Sequence, residues 1–211
     1  MPLPDLEKAN FDFCFPVPVM CHVWQNTAEL DKELRRLALA REHEAGGRTK
    51  SNIGGWHSET GVLEWMGEAG KALIERMAQM VNHATARLMS AYGREPSEFN
   101  WTYQAWVNVN RGADFNKTHT HPGATWSGTY YVDPGDSDAN ADVGTPLQIM
   151  DPFLSRDSTF FPGLVRTSVY IRPVAGMMVL FPSYVPHMVF AHRGNQPRIS
   201  IAFNFRKEPF P

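Results

Sequence analysis

Cysteine is nearly absent: Cys14 and Cys21 are the only two thiols in 211 residues. A secreted scaffold held together by disulfides carries more. The sequence therefore points to a cytoplasmic protein with free thiols, although the short spacing of the pair would permit a bridge. An excess of charge of either sign is missing too. Twenty Lys and Arg stand against 22 Asp and Glu, a formal charge of −2, which gives no electrostatic case for gripping a polyanion or an anionic membrane. Nucleic acid is accordingly not an expected partner. No uninterrupted apolar run is long enough to span a bilayer, and Met1-Pro2-Leu3-Pro4-Asp5 lacks the basic-then-apolar order of a secretory signal. Internal repeats and low-complexity tracts are also lacking. What remains is a soluble chain, 43% apolar, which fits one domain over 1–211 with a sizeable core.

Two textures divide that chain. Residues 1–98 read as the helical portion. Phe11 to Trp24 has strand composition but is broken by Pro16 and Pro18, which suits an edge strand or an extended lead-in. Asn26 and Glu29 have the spacing of a capping box ahead of Leu30, Leu34 and Leu37 at helical spacing. Gly46 to Gly61 reads as a surface loop. A second helix is expected from about Gly67 to Tyr92, with Leu73, Met77, Met80, Val81, Ala84 and Leu88 on one face and Gly93 as its stop. From 99 onward, strand patterns cover Trp101 to Asn110, Ser127 to Val132, Pro146 to Met150, Arg166 to Arg172, Gly176 to Phe181, His187 to Ala191 and Arg198 to Phe205. Turn signals separate them, and Asp133 to Gly144 and Asp151 to Gly163 read as irregular loops. Short strands without helices between them predict an antiparallel sandwich or barrel, with two helices on one outer face.

Chemistry concentrates in Thr118-His119-Thr120-His121-Pro122, Pro186-His187 and Arg198-Ile199-Ser200. On a strand, residues i and i+2 share a face, so His119 and His121 can offer two imidazoles to one ion. A distant third, His187, would complete one side of the coordination sphere. This is the pattern of a facial triad without its usual carboxylate. His57 is a lesser candidate for substrate contact. His192, five residues past His187, is expected on the opposite face and exposed. His22, His43 and His83 stand singly and take no role.

The ordered motifs Asn-x-x-His-x-His-Pro from Asn116, Ser-Gly-x-Tyr-Tyr-Val from Ser127, Gly-x-x-x-x-Phe-Pro from Gly176, Pro186-His187, and Arg198-x-Ser200 followed by Asn204 resemble the iron(II)- and 2-oxoglutarate-dependent oxygenases. The pattern is most similar to a bacterial branch related to prolyl hydroxylases. The resemblance covers about Asn108 to Phe205. It implies a mainly β fold with flanking helices (α+β): a double-stranded β-helix, or cupin-like jelly roll, formed by 99–211. It also implies Fe(II) as metal, 2-oxoglutarate as co-substrate, and molecular oxygen with a further substrate as partners.

Carried over by position, His119 matches the first metal ligand and His187 the last, while His121 stands where most relatives have Asp or Glu. Arg198 matches the residue that forks onto the distal carboxylate of 2-oxoglutarate, a task suited to a planar guanidinium. Ser200 would donate to the same carboxylate, and Tyr131 resembles a tyrosine that does so in prolyl hydroxylases. Asn108 and Asn110 match co-substrate-contacting positions of the DNA-dealkylating branch, or satisfy strand-end backbone groups. Asp151 and Asp114 are the alternatives for a carboxylate ligand. Trp126 and Tyr130, with the 133–144 loop, either shape a substrate pocket or pack outward. Two further readings stay open: a three-histidine dioxygenase that does not use 2-oxoglutarate, and a non-catalytic metal-binding module. The sequence leaves the oligomeric state undetermined.

Overall fold

In the computed structural model, which describes residues 17–135, 145–153 and 166–208, the chain runs β1 (Met20–Val23), α1 (Ala28–Glu44), β2 (Asn52–Ile53), β3 (Trp56–His57), α2 (Val62–Ala91), β4 (Trp101–Asn110), β5 (Phe115–His119), β6 (Trp126–Asp133), β7 (Leu147–Met150), β8 (Ser168–Ile171), β9 (Met177–Pro182), β10 (His187–Val189) and β11 (Arg198–Lys207). Six strands pair in the order β1-β9-β6-β11-β4-β3, and five in the order β2-β5-β10-β7-β8. Neighbours in both sheets are antiparallel. This is the expected mainly β, jelly-roll architecture with two helices.

Alternation along β11 explains the layering. Ile199, Ile201, Phe203 and Phe205 enter a core shared with Leu34 and Ala38 of α1 and Leu73, Met77, Met80 and Val81 of α2. Arg198, Ser200, Ala202 and Asn204 line a cavity on the other face. A strand places successive side chains on opposite faces, so one hydrophobic row and one polar row follow from the sequence. Strand β4 does the same, with Ala105, Val107 and Val109 toward the helices and Gln104 and Asn108 toward the cavity. The helices thus cover the outer face of the six-stranded sheet, each buried aliphatic or aromatic side chain contributing about 1.5–3 kcal/mol. Between the sheets lies a second apolar cluster, formed by Tyr131, Leu147, Ile149, Ile171, Val179, Phe181 and Val185. Within the six-stranded sheet, the strands on either side of β6 crowd Gly128. A Cβ there would sit 2.4 Å from both the Val179 carbonyl oxygen and Phe203 Cζ, so only glycine fits.

Local departures from the expected pattern have local causes. The cap of α1 is Thr27 rather than Asn26, and no side chain closes it. Asn26 instead takes φ 56, the left-handed region that asparagine tolerates. Helix α2 starts at Val62, and Gly67, expected as its beginning, is a kink at φ 53. The helix ends at Ala91, with Gly93 at φ 65. The Gly46–Gly61 loop contains β2 and β3, and β5 lies in a stretch that had no strand signal. Of the Phe11–Trp24 segment, only Met20–Val23 forms a strand, at the sheet edge beside β9. Residues 1–16, including Cys14, lie outside the described residues, as do 136–144 and 154–165. Cys21 carries a free thiol. Among the described residues, no helix is long and apolar enough to cross a membrane.

Candidate functional site

His119 is the last residue of β5 and His187 the first of β10, and the antiparallel register sets them directly opposite each other. Cross-strand partners lie close enough for their side chains to meet. His121 reaches the same point by another route. Strand β5 has ended, so His119 and His121 do not share a strand face as expected. The chain turns instead, with Gly123 at φ 87, and the His121 N–H donates to the Ser183 carbonyl at 2.9 Å. Ser183 Oγ donates in return to the Ala124 carbonyl at 2.6 Å. The turn holding His121 is thereby pinned to the turn that delivers His187.

The three rings converge. Centroids are 4.3 Å apart for His119 and His187, and 5.0 Å for His121 with each of the others. One ring nitrogen from each lies within 4.8 Å of the others. His119 Nδ1 donates to the Lys117 carbonyl at 2.7 Å, and His187 Nδ1 to the Val185 carbonyl at 2.9 Å. A carbonyl only accepts, so these bonds fix the Nδ1–H tautomer of His119 and His187 and turn their Nε2 lone pairs away from the backbone; His187 Nε2 meets His121 Nε2 at 3.2 Å. His121 Nδ1 faces the Asn204 amide at 3.4 Å, and Asn204 Oδ1 accepts from Ser127 Oγ at 2.7 Å. Burial holds His119 below the ordinary histidine range. Burial, reinforced by neighbouring His119, brings His121 down to about 4 and His187 to about 3. All three are neutral imidazoles at pH 7, the form that binds a metal.

No carboxylate joins this group among the described residues. Asp151 Oδ1 accepts from the Phe153 N–H at 2.9 Å. Asp114 Oδ2 accepts from the Arg111 N–H at 2.7 Å.

A cavity of about 740 Å³ connects the histidines to Arg198, Ser200, Tyr131 and Asn108, all of which line it. Arg198 is only 1% exposed. Its Nη1 reaches Ser200 Oγ at a long 3.4 Å, and its guanidinium lies over the Tyr131 ring, 5.2 Å from the centroid. Arg198 Nε, the Tyr131 hydroxyl and Asn108 Oδ1 are buried without a hydrogen-bond partner. Burial lowers the guanidinium's pKa. It also pushes the Tyr131 phenol up to about 12, against the pull of Arg198. Buried polar atoms are nearly always paired, so three orphans at one end of a cavity mark where a polar ligand belongs.

Not every expected residue arrives there. Asn110 is buried with an unpaired Oδ1, but it sits against Gly55 and does not line the cavity. Trp126 and Tyr130 pack under the helices rather than shaping the pocket: Trp126 Nε1 donates to Thr85 Oγ1 at 3.0 Å, and Tyr130 Oη to Asp31 Oδ1 at 2.6 Å. His192 is 1% exposed, not surface. Strand β10 stops at Val189, so strand parity no longer governs His192, and its ring bonds Thr145 Oγ1 and the Gln196 carbonyl. His57 lines the cavity and stacks on Trp106 at 5.6 Å. Sequence reasoning assigned no role to Asn204 or Trp106. The even spacing of Asn204 from Arg198 and Ser200 was a usable signal; nothing comparable marks Trp106.

Residues 104–204 match a family model described as "Putative 2OG-Fe(II) oxygenase". No curated protein matches the sequence significantly. Among solved structures, a prolyl-4-hydroxylase from Pseudomonas putida is similar with TM-score 0.64 and 17% identity, over 90% of this chain and 93% of that one. A prolyl hydroxylase from Trichoplax adhaerens, solved with a hypoxia-inducible-factor peptide fragment, gives TM-score 0.65 and 16% identity over 89% and 83%. SnoK, an α-ketoglutarate-dependent carbocyclase of nogalamycin biosynthesis, gives 0.61 and 10% over 89% and 78%. At such identities these structures speak for the fold, and the family match speaks for the region that carries the histidines and Arg198. Residues 104–204, just under half of the chain, are thus similar to the 2OG-Fe(II) oxygenase family, and the chain shares the fold of these solved structures.

Proposed function

We propose that the protein is an iron(II)- and 2-oxoglutarate-dependent oxygenase whose metal is held by His119, His121 and His187. The observation that carries this reading is Arg198. A fully buried guanidinium with an unpartnered Nε is costly unless an anion meets it, and it opens into the cavity lined by the three imidazoles. A co-substrate with a carboxylate at each end satisfies both.

The residues present fit both groups. Three neutral imidazoles suit a divalent first-row metal, and two of them have tautomers fixed by backbone carbonyls. Iron(II) with 2-oxoglutarate and oxygen supplies the oxidising power, through decarboxylation of the 2-oxoglutarate to succinate. The rest falls to the chain. Arg198 would take the distal carboxylate in a bidentate bond, with Ser200 and the Tyr131 hydroxyl donating to the same group. A phenol pushed up to about 12 stays protonated and remains a donor at neutral pH. The Asn108 side chain, through its amide, would bond the co-substrate from the neighbouring strand. The apolar cluster of Val179, Phe181 and Leu147 behind the site excludes water from one wall. Among the described residues no carboxylate joins the three imidazoles, so these neutral ligands would leave a bound divalent metal its full charge and favour anionic co-ligands.

Purified protein supplied with iron(II) and 2-oxoglutarate in air should release succinate even without a second substrate, and Arg198→Ala should abolish that release at moderate 2-oxoglutarate. Silence from the iron-loaded wild type would instead support a non-catalytic metal-binding module. Turnover of a thiol substrate without 2-oxoglutarate would support the other three-histidine class, in which Arg198 has no task.

A further inference from the structure

Outside its deep end, the cavity has a one-signed lining. Apart from histidines and the buried Tyr131 and Arg198, its ionisable residues are Arg48, Lys50 and Lys117, and among the described residues no Asp or Glu lines it. That is segregation, because acids outnumber bases over the whole chain. Three cations gathered on one rim raise the local concentration of anions.

The three are held in place by backbone rather than by counter-charges. The Arg48 N–H donates to the His57 carbonyl at 2.8 Å, and the Lys117 N–H to the Ser51 carbonyl at 2.9 Å. The Lys50 N–H donates to Asn52 Oδ1 at 2.7 Å. Their side chains form no ion pair among the described residues. Elsewhere, five Arg and Lys side chains are matched with acids: Arg35 with Asp133, Arg36 with Glu33, Arg41 with Glu59, Lys71 with Glu68 and Arg111 with Glu42. The acid that Arg48 influences, Glu59, is already taken by Arg41. Lys117 is also adjacent to the metal group, since its carbonyl holds His119 Nδ1. Ser51, Gln104, Asn116, Thr118 and Thr120 also line the cavity, beside apolar Trp106, Leu147, Phe181 and Val189. The cavity volume of about 740 Å³ falls in the range of small-molecule sites.

Resting on the oxygenase reading above, we propose that the prime substrate is a small organic acid. Its carboxylate or phosphate is held at the mouth by Arg48, Lys50 and Lys117, and its oxidisable carbon points inward toward the histidines. The co-substrate's distal carboxylate is taken by Arg198 at the deep end, so the two anions do not compete for one cation.

The test uses protein loaded with zinc(II) and 2-oxoglutarate and ligand-observed NMR. The probes are a panel of small carboxylic acids and phosphate monoesters, each with its neutral primary amide or alcohol. The variant combines Arg48→Gln, Lys50→Gln and Lys117→Gln, all at exposed positions, so folding is preserved. Acids should bind in preference to their neutral partners, lose binding with added salt, and weaken about tenfold in the triple variant, the combined worth of three exposed charge contacts. Which half of the panel binds distinguishes carboxylate from phosphate. The proposal is overturned if neutral partners bind equally well, if no acid binds, or if the triple variant keeps its acids. It is also overturned if 2-oxoglutarate weakens by the same factor, because the cations would then serve the co-substrate. Binding of 2-oxoglutarate to the wild type reports separately on the oxygenase reading: its loss with acid binding retained sinks that reading and leaves the acid site standing.

Discussion

Replacing Arg198 by methionine should move two measurements in opposite directions. In the ligand-free protein the guanidinium is 1% exposed, its Nε has no acceptor and its bond to Ser200 is 3.4 Å long. A buried donor without a partner costs about 1–3 kcal/mol. Methionine keeps much of the stem's packing and removes the charge, so the ligand-free variant should be more stable by about that amount. For a chain of this size each kcal/mol shifts the melting temperature by roughly 2–4 °C. With 2-oxoglutarate the sign reverses. Removing one partner of a buried charge pair costs about 2–5 kcal/mol of binding, or roughly thirtyfold and upward in affinity. Thermal unfolding of the zinc(II)-loaded protein reads both effects, since a ligand raises stability in proportion to the logarithm of its concentration over its dissociation constant. The wild type should climb as 2-oxoglutarate is added, and the variant should start higher and stay flat. A variant that starts lower by 2 °C or more, yet still climbs like the wild type, would refute the reasoning. Arg198 would then be a structural cation with a partner, and the carboxylate would bind elsewhere.

Three further outcomes follow from the same geometry. Asn204→Leu removes the amide facing His121 Nδ1 and should weaken metal binding about 10–100-fold in chelator competition, the usual cost of losing a group that orients a ligating imidazole. Asn204→Asp replaces the amide Nδ2 that faces Nδ1 with an acceptor for Nδ1–H, which directs the Nε2 lone pair to the metal, and should bind it at least as tightly. Gly128→Ala places a methyl group against the Val179 carbonyl and Phe203 and should lower the unfolding free energy measured by urea titration by about 1–3 kcal/mol or more. Stability of the metal-free protein should also fall with acid. His121 and His187, depressed to about 4 and about 3, stay neutral when folded but protonate near pH 6.5 when unfolded. Because the folded values lie below the unfolded one, their stabilising effect is full above pH 6.5. It is lost as pH falls toward the folded values, at about 1.4 kcal/mol per pH unit for each group. Urea unfolding at pH 7, 6 and 5 measures the slope, and His121→Asn should reduce it by one group.

Legibility in the sequence tracked how strongly each residue's surroundings constrain it. The alternating Val, Ile and Phe of Trp101–Asn110 and Arg198–Phe205 matched β4 and β11 closely, because a half-buried strand writes its period into its side chains. Strand β5, Phe115-Asn-Lys-Thr-His119, is polar and sits beside the two-residue β2, so it carried no such period. The direct opposition of His119 and His187 is a matter of register, which a single sequence does not state. Tyr130 and Tyr131 are consecutive and both buried, on opposite faces of a sheet covered on both sides. Composition cannot tell which of them faces the cavity. Arg198 was readable only through resemblance, since arginine is usually exposed. Arg48 and Lys50 lay in a stretch taken for a plain surface loop, and only the fold brings that stretch beside β5.

The most direct test of a three-histidine, 2-oxoglutarate-dependent centre is an anaerobic titration of iron(II) into the protein with 2-oxoglutarate, followed by visible absorption. A weak charge-transfer band should grow and saturate at about one iron per chain. His121→Ala should remove it, and Arg198→Met should shift its appearance to much higher 2-oxoglutarate. Absence of the band in the wild type, or a band unchanged in both variants, would contradict the assignment of these residues to the metal and its co-substrate.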